Sequence, residues 1–340
     1  MVGVKQAVVM VGGKGTRLKP LTDNCPKPIL PVLDRPCLAY LIDSLAGGGI
    51  EHVILACGYH SDKVTETIGH GEEFGIEIEY SYEDEPRGTA GAMKILEDRL
   101  DDTYVGVNGD VFADISVKDV IEMHQRTNSC VTISLTEVEN PCEFGIARLD
   151  DTGRITEFKE KPKPEEVFSN LINAGVYVIN KKVMNIVPKD TMYDFSKELV
   201  PILMSMGHRI QGYVIEGVWR DVGRPSDLLE TNLIMADRRY RDADWSEQIE
   251  GSMVRRPFYI GYSGAATSSE VDSAVIGAGS YVMNSQVQKS MIMEGSFVSS
   301  SSLKDTIIGK DCKITDSTIV DSVIADGSII KGRTIISEKI

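Results

Sequence analysis

The sequence predicts an α/β fold with a largely parallel sheet, followed by a β-solenoid. Three features predict it. Strand-like apolar runs alternate with helical patterns up to about residue 240. From about residue 258 a sixteen-residue repeat takes over. Between them Asp227–Arg241 carries Leu228, Leu229, Leu233, Ile234 and Met235 on one broad face and reads as a helical linker.

Expected strands are Ala7–Val11, His52–Cys57, Ile76–Tyr80, Tyr104–Val107, Val131–Leu135 and Gly175–Ile179. A helix opens after Pro36, covers Cys37–Ala46 and stops at Gly47-Gly-Gly49. Further helices are expected at Asp62–Ile68, Gly91–Arg99 and Val117–Arg126. Two short runs, Ile146–Leu149 and Ile155–Phe158, flank Asp151-Thr-Gly153 and predict an inserted hairpin.

In the repeat, Ile276, Ile292, Ile308 and Ile324 recur every sixteen residues, and Ile260 fits one repeat earlier. Within one repeat the apolar steps run Ile276, Val282, Val287, Ile292. Three apolar positions per repeat suit a triangular coil with inward-pointing sides and small residues at its turns. A β-sandwich with accidental periodicity is the alternative. Five coils at about 4.8 Å each would make a prism of roughly 20–25 Å. The expected division is 1–237, a linker at 238–257 and the solenoid at 258–340.

The chain has 340 residues, 42% of them hydrophobic, so a large core is available and disorder is not expected. Its formal net charge of -15 opposes general binding to nucleic acid or acidic membrane. An anionic ligand therefore needs a local cluster of cations. No signal peptide or spanning apolar run is visible, and the six cysteines form no CxxC pair. Both features predict reduced thiols and a cytoplasmic location.

The glycine-rich stretch Gly12–Arg17 follows the first strand but lacks the spacing of a P-loop or a dinucleotide fingerprint. A tight strand-to-loop turn is its simplest reading. Arg17, however, offers a fork of donors for phosphate, and Lys27 a point charge on a segment stiffened by Pro26 and Pro28. That segment is expected to be extended, with Arg17 and Lys27 partly exposed. Such a cluster beside a glycine nest suggests a polyphosphate clamp. Asp110, after a strand, and Asp221, in Val218–Gly223, are candidate Mg²⁺ ligands, with a turn residue before glycine as the alternative. Glu160-Lys-Pro162 and Asn173-Ala-Gly175 sit at strand boundaries; taken alone, the first reads as a surface salt bridge and the second as a turn before a strand.

Seven segments in order resemble the nucleoside-diphosphate-sugar pyrophosphorylases, or sugar-1-phosphate nucleotidyltransferases. They are Gly12–Leu18, Pro26–Pro28, Gly88–Ala90, Asn108–Asp110, Glu160–Pro162, Asn173–Gly175 and Trp219–Gly223. The resemblance covers roughly residues 5–235. It implies a Rossmann-like mixed, mostly parallel catalytic domain with an appended left-handed parallel β-helix. The implied reaction joins a nucleoside triphosphate to a sugar 1-phosphate and releases pyrophosphate. Within the family, Phe168–Tyr177 and Trp219–Asp227 look like mannose-1-phosphate guanylyltransferases, implying GTP and mannose 1-phosphate.

The same resemblance implies roles for residues. Arg17, Lys27 and Lys161 would be catalytic, handling the α-phosphate, the leaving pyrophosphate and the incoming phosphate. Gly12, Gly13, Lys14, Gly15 and Thr16 would cradle the triphosphate, and Gly88 and Thr89 would lie near the base. Glu83 or Glu85 could accept both donors of guanine, with a solvated acidic loop as the plainer reading of the same residues. Asn108, Gly145, Glu160 and Asn173 would face the sugar. Asp110 and Asp221 would bind Mg²⁺.

Uridine- or thymidine-dependent glucose-1-phosphate transfer is the alternative activity, and a non-catalytic regulatory subunit the alternative class. An acetyltransferase site in the repeats is disfavoured because the last histidine is His208. The repeats are instead expected to serve homo-oligomer assembly, with Ile329-Ile330 and Ile335-Ile336 against a partner.

Overall fold

The strand Gln6–Val11 runs through the middle of a sheet of nine described strands, flanked on both sides by parallel neighbours. The computed structural model describes residues 3–13, 15–58, 61–82 and 85–340, with the side chain of residue 61 left aside. From one edge the sheet runs Ile155–Glu160, Gly145–Leu149, Leu171–Asn180, Thr103–Asn108, Gln6–Val11, His52–Cys57 and Glu77–Tyr82. Leu171–Asn180 is antiparallel to Thr103–Asn108 and also pairs with Val131–Glu137, which carries Ile210–Val214 in parallel. The first four strands of the chain that enter this sheet are parallel because helices connect them, as the alternation in the sequence requires. Helices Cys37–Gly47, Ser61–Ile68, Gly88–Ile95 and Val117–Thr127 stand where the patterns place them, with ends shifted by a few residues. The inserted hairpin is present as Gly145–Leu149 paired antiparallel with Ile155–Glu160.

The sixteen-residue repeat is a coil repeat. Ile260 pairs with Ile276, Ile276 with Ile292, Ile292 with Ile308 and Ile308 with Ile324, all in parallel. These isoleucines are buried at 0–2% exposure, stacked along the coil axis. The all-parallel ladders fit the left-handed β-helix that the resemblance implies. Its corners explain the small and polar residues. Ser268, Asn284, Ser300 and Asp316 turn the chain at φ of 49, 46, 50 and 50°, a left-handed conformation that short polar side chains tolerate best. The next residues, Ser269, Ser285, Ser301 and Ser317, are buried, and each Oγ accepts the backbone N–H of the residue sixteen further on.

Alternation inside the last strands corrects one expectation. Ile330 and Ile335 point into the coil, while Ile329 (80% exposed) and Ile336 (59%) point outward. Successive residues of a strand face opposite sides, so each Ile-Ile pair splits between core and surface.

The chain forms two compact units: Met1–Gly13 with Leu38–Trp219, and Lys14–Cys37 with Arg220–Ile340. The second contains the helix Pro225–Tyr240 and the β-helix beginning at Met253–Ile260. Among the described residues no helix is long and apolar enough to cross a membrane.

Burial ranks the solenoid positions. Ile308→Ala should lower the unfolding free energy by about 2–5 kcal/mol in urea titration, through lost burial and a cavity. Ile329→Ala should change it by less than about 0.5 kcal/mol, as expected away from any packed site.

Candidate active site

In the sheet unit, the motif residues gather around strand ends. Gln6–Val11 ends in Gly12 and Gly13, both exposed, with open space where a Cβ would project. Thr103–Asn108 ends beside it, and the N–H of Gly109 donates to the carbonyl of Met10 at 2.9 Å. Asp110 follows, half-buried, at the start of the next turn. Asn108 Oδ1 is buried and has no hydrogen-bond partner among the described residues. Gly175 has φ of 75°, and a Cβ there would come within 2.9 Å of Asn108 Nδ2. The glycine of Asn173-Ala-Gly175 is therefore required by the approach of Asn108.

Asn173 is committed inside the protein. Its Nδ2 donates to Tyr177 Oη at 2.9 Å and Ser196 Oγ at 2.8 Å, and its Oδ1 accepts from the N–H of Gly175 at 2.9 Å. Trp219 Nε1 donates to the carbonyl of Ala174 at 2.7 Å, and its ring meets Phe144 edge-on at 5.7 Å. Three motifs distant in sequence are thus knitted together within this unit.

Gly145 faces Glu160 across the hairpin, with space for a Cβ denied by Glu160 Oε2 at 2.6 Å. Burial, and then the charge of Asp194, push the Glu160 carboxyl above the usual carboxylate range. Lys161 is exposed and sits at φ of 46°, unusual for a lysine, with its N–H bonded to the carbonyl of Phe144 at 2.9 Å.

Asp194 was not legible as a site residue. It caps Phe195–Leu199 by accepting from the N–H of Lys197 at 2.8 Å, while Glu198 Oε2 accepts its own N–H at 2.6 Å. Thr89 Oγ1 accepts the N–H of Phe195 at 2.8 Å, so this residue anchors the same turn. Gly88, at φ of 72°, is required by backbone, since a Cβ would lie 2.7 Å from the carbonyl of Tyr193. Glu85 is an exposed acid within 4.0 Å of Arg87. Lys14 and Glu83 lie outside the described residues.

The C-terminal unit holds the other charges. Gly15 takes φ of 58° and opens a short 3-10 turn, Thr16–Leu18, with Thr16 and Arg17 exposed. Thr22 Oγ1 donates to the carbonyl of Gly15 at 2.8 Å. Lys27 departs from expectation twice. It begins a 3-10 turn, Lys27–Ile29, because a proline's fixed φ suits the start of a helical turn as well as an extended chain. It is also buried, at 7% exposure, with Nζ 3.3 Å from Asp221 Oδ1. Arg17 and the carboxylate of this pair share Gly223 as a neighbour. A Cβ on Gly223 would come within 2.8 Å of Arg17 Nη2 and 3.3 Å of Asp221 Oδ2. The glycine of Trp219–Gly223 is thus the floor on which Arg17 and Asp221 both rest, with Lys27 against the same carboxylate. Two cations and a carboxylate at one point can bind phosphate oxygens and a metal ion together.

A mixed α/β sheet with glycine-rich and charged motifs at its strand ends, followed by a β-helix, defines a phosphate-handling transferase class. The family model described as "Nucleotidyl transferase" matches residues 6–238, and the chain belongs to that family. It is similar to the mannose-1-phosphate guanylyltransferase of Mycobacterium tuberculosis, 38% identical over 225 residues, which are 66% of this chain and 62% of that relative. It is also similar to the UTP–glucose-1-phosphate uridylyltransferase of Synechocystis, 28% identical over 281 residues, covering 78% of this chain and 71% of the relative. A solved structure from Bacillus anthracis, described as a glucose-1-phosphate thymidylyltransferase, shares the fold at a TM-score of 0.63 and 24% identity, over 71% of this chain and 97% of that one.

The raised Glu160 carboxyl gives a pH test. Its protonated form is favoured by folding, so its contribution is full below the ordinary value of about 4.3 and is lost as pH rises through the folded one. Glu160→Gln should raise Tm at pH 7 by calorimetry, and the gain should vanish by about pH 4.

Proposed function

We propose that the protein is a sugar-1-phosphate nucleotidyltransferase, with GTP and mannose 1-phosphate as substrates. The observation that carries this reading is the meeting of Arg17, Lys27 and Asp221 at Gly223. In an acidic chain of net charge -15, such a point is where a triphosphate can be held. The 38% identity to a mannose-1-phosphate guanylyltransferase supports the choice of substrates.

An oxygen of the sugar phosphate attacks the α-phosphorus in line, the bond to the β-phosphate oxygen breaks, and pyrophosphate leaves with that electron pair. Catalysis consists of orientation and charge neutralisation. Arg17 neutralises the α-phosphate and the leaving pyrophosphate, and the Gly12, Gly13, Gly15 and Thr16 amides hold the triphosphate. Lys27 orients the α-phosphate, and Lys161 holds the attacking one. Glu160, the Gly145 backbone, Asn108 and Asn173 shape the sugar pocket, Asn173 by holding its turn rather than through a free amide. Gly88 and Thr89 shape the base pocket, and Glu85 is the described acid that would read guanine.

Asp110 and Asp221 are hard oxygen donors suited to Mg²⁺, which needs one or two carboxylates and completes its shell with phosphate and water. The unpaired Asn108 Oδ1, two residues from Asp110, is an acceptor available to a metal-bound water. Mg²⁺, when bound, would offset negative charge on both phosphates.

Uridine-dependent transfer to glucose is a second reading, favoured by the longer match to the uridylyltransferase. A matrix of nucleoside triphosphates against sugar 1-phosphates, read by pyrophosphate release, separates the two. The highest kcat/KM should fall on GTP with mannose 1-phosphate, EDTA should abolish turnover, and Mg²⁺ should restore it. Arg17→Ala should lower kcat/KM by about 10²–10³-fold, the scale of one lost transition-state donor. No turnover with any pair would favour a regulatory subunit.

A further inference from the structure

The segment that carries Arg17 and Lys27 ends in a small hairpin, Pro31–Val32 paired antiparallel with Arg35–Pro36. Its tip, Leu33-Asp34, is held from two directions. Leu33 is buried at φ of 56°, a conformation that costs a leucine free energy and persists only where the surroundings enforce it. The enforcing group is Asn232, fully buried in the helix Pro225–Tyr240. Its Oδ1 accepts the N–H of Leu33 at 2.6 Å, and its Nδ2 donates to the carbonyls of Pro31 at 3.2 Å and Leu228 at 2.9 Å. Every hydrogen-bonding group that Asn232 directs at the hairpin is used to fix its tip.

Asp34 is held by the β-helix. Tyr259 Oη donates to its Oδ2 at 2.8 Å, and the N–H of Ala278, one coil later, donates to its Oδ1 at 3.2 Å. Tyr259 is itself set by Tyr240 and Trp245, at ring distances of 4.8 and 5.7 Å. At the other end of the segment, Lys339 Nζ in the last coil donates to the carbonyl of Arg17 at 3.1 Å. The solenoid therefore touches the segment at both ends, near Arg17 and beyond Lys27.

We propose that the β-helix positions the Arg17–Lys27 segment through Asp34, making Asp34 and Asn232 positioning residues for the reaction. The solenoid is then part of the support of the phosphate-binding cations as well as a candidate assembly module. A carboxylate held by a phenol and a backbone N–H suits this task, since both donors are placed by rigid elements. The inference rests on the proposed transferase reading for its catalytic consequence, but its structural content stands apart.

The test uses the full chain with Asp34→Ala, at the exposed tip of the hairpin, and Tyr259→Phe, which removes only the hydroxyl of a buried ring; both spare Asn232. Hydrogen–deuterium exchange is followed across residues 27–36 alongside kcat and KM. Amides of this segment should exchange at least about tenfold faster in Asp34→Ala, with the rest of the unit unchanged and Tm within about 2 °C. Turnover should fall at least about fivefold, mainly in kcat, with Tyr259→Phe intermediate. Wild-type exchange in the segment, or faster exchange with unchanged kcat, overturns the proposal. So does a lowered Tm with faster exchange throughout, which marks Asp34 as a general stabiliser. If the wild-type chain turns over no substrate pair, the transferase reading fails, and exchange alone decides whether Asp34 orders the segment.

Discussion

The ion pair of Lys27 with Asp221 joins positions 194 residues apart in the chain, and the C-terminal unit is organised around it. A lysine at 7% exposure is tolerable only with a partner, because an ammonium removed from water loses far more than a surface contact returns. Asp221 supplies the partner, and the missing side chain of Gly223 leaves room for both Arg17 Nη2 and Asp221 Oδ2 beside it. Placing these charges side by side forces the glycine-rich segment to fold back onto the chain that leads into the helix Pro225–Tyr240. That return explains why residues 14–37 form a unit with the C-terminal part of the chain rather than with the sheet that precedes them in sequence.

The fold was legible wherever a pattern repeats locally. Period-two and helical patterns located the sheet strands, and the sixteen-residue spacing of Ile276, Ile292, Ile308 and Ile324 yielded the parallel register of the solenoid. Motif order also located strand-end residues, since Asn108, Asp110 and Glu160 fall at boundaries the patterns marked, whereas Asn173 lies inside the strand Leu171–Asn180, which starts four residues before the expected Gly175. What escaped were pairings between distant segments. Nothing near Lys27 announces its burial, which depends on Asp221. Nothing near Asn232 distinguishes it from a surface asparagine of an amphipathic helix until Leu33 is found bonded to it. No expectation attaches to the stretch around Asp194, and only folding brings its charge to bear on Glu160.

Several motif glycines and asparagines have structural reasons that coexist with the proposed chemistry. Gly88 avoids the carbonyl of Tyr193, Gly175 admits Asn108, and Asn173 holds its own turn. Such residues make the site precise by removing alternatives for the backbone, while Arg17, Lys161 and Asp110 remain at strand ends and turns where side chains can reach a ligand. The division matches a reaction that needs positioning and charge neutralisation rather than a covalent intermediate.

The most direct test is a double-mutant cycle on stability, with Lys27→Met, Asp221→Asn and the double variant unfolded in urea at pH 7. The ion pair predicts a coupling of about 1 kcal/mol or more, because either single change already removes the attraction between the two charges and the second has none left to remove. Single effects that add to within about 0.3–0.5 kcal/mol would contradict it.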